Sequence, residues 1–161
     1  MTIASSVSAP SKIQLHRQSK TLELHFLRQS NGAPQNNGVQ ESNGVQESNE
    51  TENDVQERHI LSSEFLRVHS PSAEVKGHGP GQEILQYGKK KVGIKQLEIT
   101  GNYALKIIFD DGHDSGIYTW EYLYQLCHDQ EELWGIYLEK LHQENKNRDP
   151  DVQVIGIMGS S

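Results

Sequence analysis

Apolar and polar residues alternate along two stretches of this chain and recur at helical spacing along a third. Ile13 and Leu15 precede a polar break, Arg17-Gln18-Ser19-Lys20, and Leu22, Leu24 and Phe26 follow it. Period-two alternation puts one face on a core, so two short strands around a turn are expected. Val92, Ile94, Leu97 and Ile99 lead to Gly101-Asn102, and Tyr103, Leu105, Ile107 and Phe109 follow. Gly and Asn both tolerate positive φ, which makes this step a hairpin turn. Asp110 to Asp114 forms a second turn and Ser115 to Tyr118 a short strand. Thr119 is a suitable helix N-cap. Beyond it, Trp120, Leu123, Tyr124 and Cys127, then Leu133, Trp134, Tyr137, Leu138 and Leu141, keep helical spacing. One helix broken near His128-Asp129, or two abutting helices, fits. Upstream, Ile60-Leu61 closes a strand, and Ser62 or Ser63 caps a short helix over Glu64–Val68. Strands first and helices afterwards predict an α+β fold. The expected form is a small two-layer sandwich, mainly antiparallel, with a C-terminal helix or helix pair.

Composition shrinks the part of the chain that can build a core. Of 161 residues, 34% are hydrophobic, below the ~45–50% (glycine included) of an ordinary soluble domain. Residues 29–57 carry Glu41, Glu47, Glu50, Glu52, Asp54 and Glu57 with no Lys, Arg or aromatic residue. They include a tandem repeat, Asn37 to Ser42 followed by Asn43 to Ser48. Such a segment cannot offset its ordering entropy by apolar burial, so a disordered acidic insertion is expected. It reads either as an interaction tail or as an expanded hairpin loop, which costs little because closure entropy grows logarithmically. Residues 1–11 read as a disordered arm. The division expected is arm 1–11, domain 12–126 and a helical extension with tail over 127–161.

Charge and cysteine count exclude several classes. The net charge is -7; without residues 29–57 it falls to -1, with 16 acids against 15 bases. No basic face for nucleic acid is expected. No apolar run approaches the ~20 residues of a membrane span, and Met1 to Ser11 lacks the pattern of a secretory signal. One cysteine, Cys127, excludes internal disulfides and multi-cysteine metal motifs. A cytoplasmic location is expected. Eight histidines invite a metal reading, yet there is no H-E-x-x-H, no phosphate-binding Gly-rich loop and no defensible nucleophile–base pair.

Two segments are unusual: Ser70 to Gln82 and Asp110 to Trp120. Loops this rich in Gly, His and acid can bind a cation, a phosphate or a peptide. They can equally be rigid turns whose side chains hydrogen-bond one another.

Phe65-Leu66-Arg67-Val68-His69-Ser70-Pro71-Ser72-Ala73-Glu74-Val75-Lys76-Gly77-His78, then Gly101-Asn102-Tyr103-Ala104-Leu105, then Asp110 to Tyr124, resemble the γ-butyrobetaine-hydroxylase-like N-terminal domain family, over residues 12–28 and 58–126. The resemblance implies a small α+β domain. Its relatives stand alone in bacteria, precede the oxygenase barrel of carnitine-pathway hydroxylases, or follow a P-loop iron–sulfur carrier ATPase in plastids. The hydroxylase branch binds structural zinc through Cys-Pro-Cys-x-x-Cys and a His. The matching positions here are Ser70-Pro71-Ser72, Val75 and His113, so three of four ligands are missing. The resemblance still implies that Ser70–Val75 lies against the turn of His113, gathering Glu74, His78, Asp111, His113 and Asp114. The expected binding surface is Arg67, Ser70, Ser72, Glu74, His78, Asp111, His113, Asp114 and Trp120. The expected function is a non-catalytic adaptor with a protein partner, linked through the family's fusions to iron–sulfur or metal-cofactor maintenance. The rival is an iron or zinc site on His78 and His113 with nearby carboxylates.

Overall fold

The first alternating stretch folds into β1 (Lys12–His16) and β2 (Thr21–Arg28), which pair antiparallel around the polar break. β3 (Val55–Ser62) pairs with β2 through its whole length, Thr21 opposite Ser62 and Arg28 opposite Val55. The second hairpin is β4 (Ile94–Thr100) and β5 (Ala104–Phe109), extended by β6 (Gly116–Thr119). The strands therefore divide into two antiparallel three-stranded sheets, β1-β2-β3 and β4-β5-β6. With the helices this gives an α+β fold. This computed structural model describes residues 7–28, 55–153 and 155. The expected insertion over 29–54, and residues 1–6 of the expected arm, lie outside them. Two boundaries are corrected. Val55–Glu57 belong to β3 rather than to the insertion, because each pairs with the end of β2. In the arm, Val7 packs against the core and the Ser11 N–H donates to the His25 carbonyl at 2.8 Å.

Alternation decides which side chains enter the core. Leu22, Leu24 and Phe26 of β2 are buried, as are Leu105, Ile107 and Phe109 of β5. They share one cluster with Phe65 and Leu66 of α1 (Ser63–Val68) and with Leu123 and Leu126 of α3 (Trp120–His128). Each such side chain contributes ~1.5–3 kcal/mol on burial. Both expected caps form: the Ser62 hydroxyl accepts from the Phe65 N–H and the Thr119 hydroxyl from the Tyr122 N–H. The turn between β1 and β2 also ties the two sheets. Arg17 donates to the carbonyls of Ile94 and Lys95 at 3.2 and 3.1 Å, at the irregularity in the β4 register.

The helical stretch is two abutting helices, α3 and α4 (Gln130–Gln143), with the break at Asp129. A smaller apolar cluster, Val68, Tyr137 and Leu141 with Leu85 and Trp134, packs α4 against α1 and the segment before β4. Every residue of α1 is buried, Glu64 and Arg67 included. A buried charge must be paired. Glu64 receives a bidentate pair from Arg148, at 2.8 and 2.7 Å. The segment beyond α4 is held there, since Gly88 and Lys90 donate backbone hydrogen bonds to the carbonyls of Asn147 and Arg148.

Candidate functional site

α1 ends at His69, and Ser70 to Ser72 lead into the single turn α2 (Ala73–Lys76). Gly77 follows with φ +69°, and a Cβ there would lie 2.0 Å from the Gln82 carbonyl oxygen. Only glycine permits this bend. The loop so shaped lies against the turn between β5 and β6. The Ser70 hydroxyl is 2.8 Å and the Ser72 hydroxyl 3.3 Å from His113 Nε2, while Glu74 Oε2 is 3.1 Å from His113 Nδ1. Gly116 makes the approach possible, since a Cβ there would meet the Ser70 hydroxyl at 2.8 Å.

Burial pushes the His113 pKa down and the Arg67 charge adds to this, against the raising effect of Glu74. The ring is neutral at neutral pH. A carboxylate can only accept, so Nδ1 carries the proton and donates to Glu74, and Nε2 accepts from Ser70. Below the ring, Arg67 donates to Asp111 at 2.9 Å and to Gln86 at 3.2 Å, and Lys89 donates to Asp111 at 2.9 Å. Burial alone would raise the Asp111 pKa. Hydrogen bonds from Lys89 and the His113 N–H, with the Arg67 charge, outweigh it and hold the carboxyl low.

The structure brings Arg67, Ser70, Ser72, Glu74, Asp111 and His113 together. It leaves three expected residues out. His78 is exposed and has no side-chain hydrogen bond among the described residues, and its ligand atom does not converge with those of Glu74 and His113. The glycine bend at Gly77 precedes it. Asp114 points outward without a partner among the described residues. Trp120 is 5% exposed and donates its indole N–H to the Asn102 carbonyl at 2.8 Å, which makes it core and not surface. The expected metal pair His78–His113 is thus corrected: both ring nitrogens of His113 are committed to other partners. Nor do the residues present fit the zinc of the hydroxylase branch. Ser70 and Ser72 hydroxyls are poor ligands, Val75 has no donor atom, and the 2.8 Å Ser70–His113 contact is a hydrogen bond.

The other side of the loop faces a cavity of about 420 Å³. Val68, Val75, Ile84, Tyr122 and Tyr137 give it apolar walls, with Lys76, Lys140 and Glu83 around them. The walls are fixed by hydrogen bonds. The Tyr122 hydroxyl donates to the His69 carbonyl at 2.6 Å and the Tyr137 hydroxyl to the Gln86 carbonyl at 2.7 Å. Burial pushes the Tyr122 pKa up to about 12, so it stays a donor.

A second constellation escapes the sequence reading. Glu57 Oε2 lies 3.3 Å from His59 Nε2 and 3.2 Å from His128 Nε2. These three residues offer ligand atoms all within 4.8 Å of one another. The sequence signal was a Glu-x-His step, which shares one face of a strand. Composition groups Glu57 with the acidic insertion, which hides the step, and the arrival of His128 is tertiary.

Comparison with known proteins fixes the class. The family model described as gamma-butyrobetaine hydroxylase-like, N-terminal, matches residues 13–124. The chain belongs to this family. Two proteins with NMR solution structures resemble it closely. One is 44% identical, with 94% of this chain and 98% of the other covered and a TM-score of 0.66. The second is 35% identical, with 99% of each chain covered and a TM-score of 0.64. A crystal structure of a protein of unknown function from Acidithiobacillus ferrooxidans is 24% identical over 76% of this chain and 97% of that one, with a TM-score of 0.49. None of the curated proteins matches the chain. No helix among the described residues is long and apolar enough to cross a membrane.

Proposed function

We propose that this chain is a non-catalytic binding domain that docks a protein partner in the cavity beside the Ser70–Gln82 loop. One observation carries this reading. The polar groups that could do chemistry are spent on one another: Ser70, Ser72 and Glu74 on His113, and Arg67 on Asp111. What they leave open is an apolar recess on a braced scaffold, with Ile84 54% and Ile136 46% exposed at its edge. Protein interfaces draw most of their affinity from a few apolar anchors seated in such recesses. A loop ordered before binding loses little entropy on docking.

The client is assigned by analogy with the family's fusion to a P-loop iron–sulfur carrier ATPase, which makes iron–sulfur or metal-cofactor maintenance in the cytoplasm the proposed setting. The test is calorimetric titration of a purified P-loop iron–sulfur carrier ATPase into this chain and into Ile84→Glu. Saturable binding to the native chain, lost in the variant, is the expected result. Absence of binding would remove the client. Equal binding by both proteins would remove the surface.

A further inference from the structure

We propose that Glu57, His59 and His128 form a binding site for one zinc ion, separate from the His113 cluster and sharing no residue with the cavity. β3 carries Glu57 and His59 two positions apart, so both project from the same face of the sheet. His128 is the last residue of α3 and reaches that face from above it. The site thus bridges a strand and a helix.

The spacing fits the ion. Zinc holds imidazole nitrogen and carboxylate oxygen at ~2.0–2.1 Å in a tetrahedron, which places neighbouring ligand atoms roughly 3.3 Å apart. The two Glu57 contacts are 3.3 and 3.2 Å. The third pair, the two imidazole nitrogens, lies within 4.8 Å and would close to about the same spacing around an ion. Two imidazoles and one carboxylate favour zinc or another first-row divalent ion over magnesium or calcium, which prefer all-oxygen cages.

The surroundings orient the ligands without closing the site. The Tyr124 ring lies 4.3 Å from the His128 ring, and Phe26 meets His59 edge-on at 6.4 Å. Arg28 approaches the other Glu57 oxygen, Oε1, at 3.9 Å, which leaves Oε2 turned to the two histidines. Side-chain exposures rise from 17% at Glu57 and 21% at His59 to 43% at His128. One side is therefore open to a water as fourth ligand, the arrangement of zinc sites with three protein ligands. Without metal, the two Nε2 atoms share Oε2 through hydrogen bonds; the ion would replace those protons.

The test is titration of zinc chloride into the chelator-stripped full chain, by calorimetry and by NMR of the histidine ring nitrogens. The expected result is one zinc per chain, with the Nε2 resonances of His59 and His128 shifted and those of His113 unmoved. His128→Ala should bind at least tenfold more weakly, and Glu57→Gln likewise, whereas His113→Ala should bind as the native chain does. His128 sits at a half-exposed helix end, so its variant should keep the native melting temperature even if Glu57→Gln does not fold. The proposal is overturned if zinc fails to bind stoichiometrically, if it shifts His113 instead, or if His128→Ala binds unchanged. Binding of the carrier ATPase is unaffected by either outcome, so the two readings fail separately.

Discussion

Replacing His113 with alanine should loosen the Ser70–Gln82 loop and lower stability by an amount the structure sets. The ring is almost fully enclosed, with a side chain only 2% exposed. Its removal costs ~1 kcal/mol for the 2.8 Å bond to the buried Ser70 hydroxyl. The bond to Glu74 counts for less than ~0.5 kcal/mol, since that carboxylate is 73% exposed. The space left beside Phe109, whose ring lies 6.0 Å away, adds ~1–2 kcal/mol. The total of about 3 kcal/mol corresponds to roughly 6–12 °C at ~2–4 °C per kcal/mol for a chain of this size. Calorimetric melting at pH 7.5 measures it, and amide exchange locates it at residues 70–77 and 111–116. The pH profile supplies a second readout. The folded-state pKa of His113 is depressed below its ordinary value of 6.5, so the unfolded chain binds the proton more readily. Stability from this group is complete above about pH 6.5 and is lost as the pH falls from there towards the folded value. Burial depresses His69 in the same direction, so His113→Ala should flatten this acid limb in part. A loss of less than about 3 °C, or unchanged exchange in the loop, would refute the clamp.

Two further predictions concern buried groups. Arg148→Met should strand the Glu64 carboxylate, whose side chain is 7% exposed. An unpaired buried charge costs ~3–5 kcal/mol; Arg148 is itself 36% exposed, so water can reach the gap and roughly 2–3 kcal/mol is expected from urea denaturation. Glu64→Gln in the same background should recover most of it. Cys127 is buried and burial pushes its thiol up to about 12. It should therefore resist iodoacetamide at pH 8 in the native state and react at once in denaturant, as mass spectrometry would show.

Local signals were legible and partners at a distance were not. The Gly101-Asn102 hairpin, the caps at Ser62 and Thr119 and the helix break near Asp129 all depend on residues within a few positions. The contact between Ser70 and His113 was legible only through the family resemblance, because hydrogen bonds now stand where relatives have thiolates. Composition hides the start of β3: Val55, Gln56 and Glu57 continue a polar, acidic segment but pair with the end of β2, where Leu27 and Arg28 are exposed and core burial is not required. Helical periodicity gives Trp120 an apolar face but not what covers it, so only packing decides between the core and the expected binding surface. The division into two sheets, the placement of Arg148 on Glu64 and the meeting of His128 with Glu57 arise from packing between segments far apart in the chain.

The Glu64–Arg148 pair has a consequence for how the protein is made. The two partners are 84 residues apart in sequence. A ribosome releases Glu64 long before Arg148, so during synthesis α1 exists before Arg148 can donate to its carboxylate. The nascent chain gains little by burying that helix early. Final docking of α1 and α4 then waits until Arg148 has left the exit tunnel, and until then the apolar faces of both helices are open to chaperones.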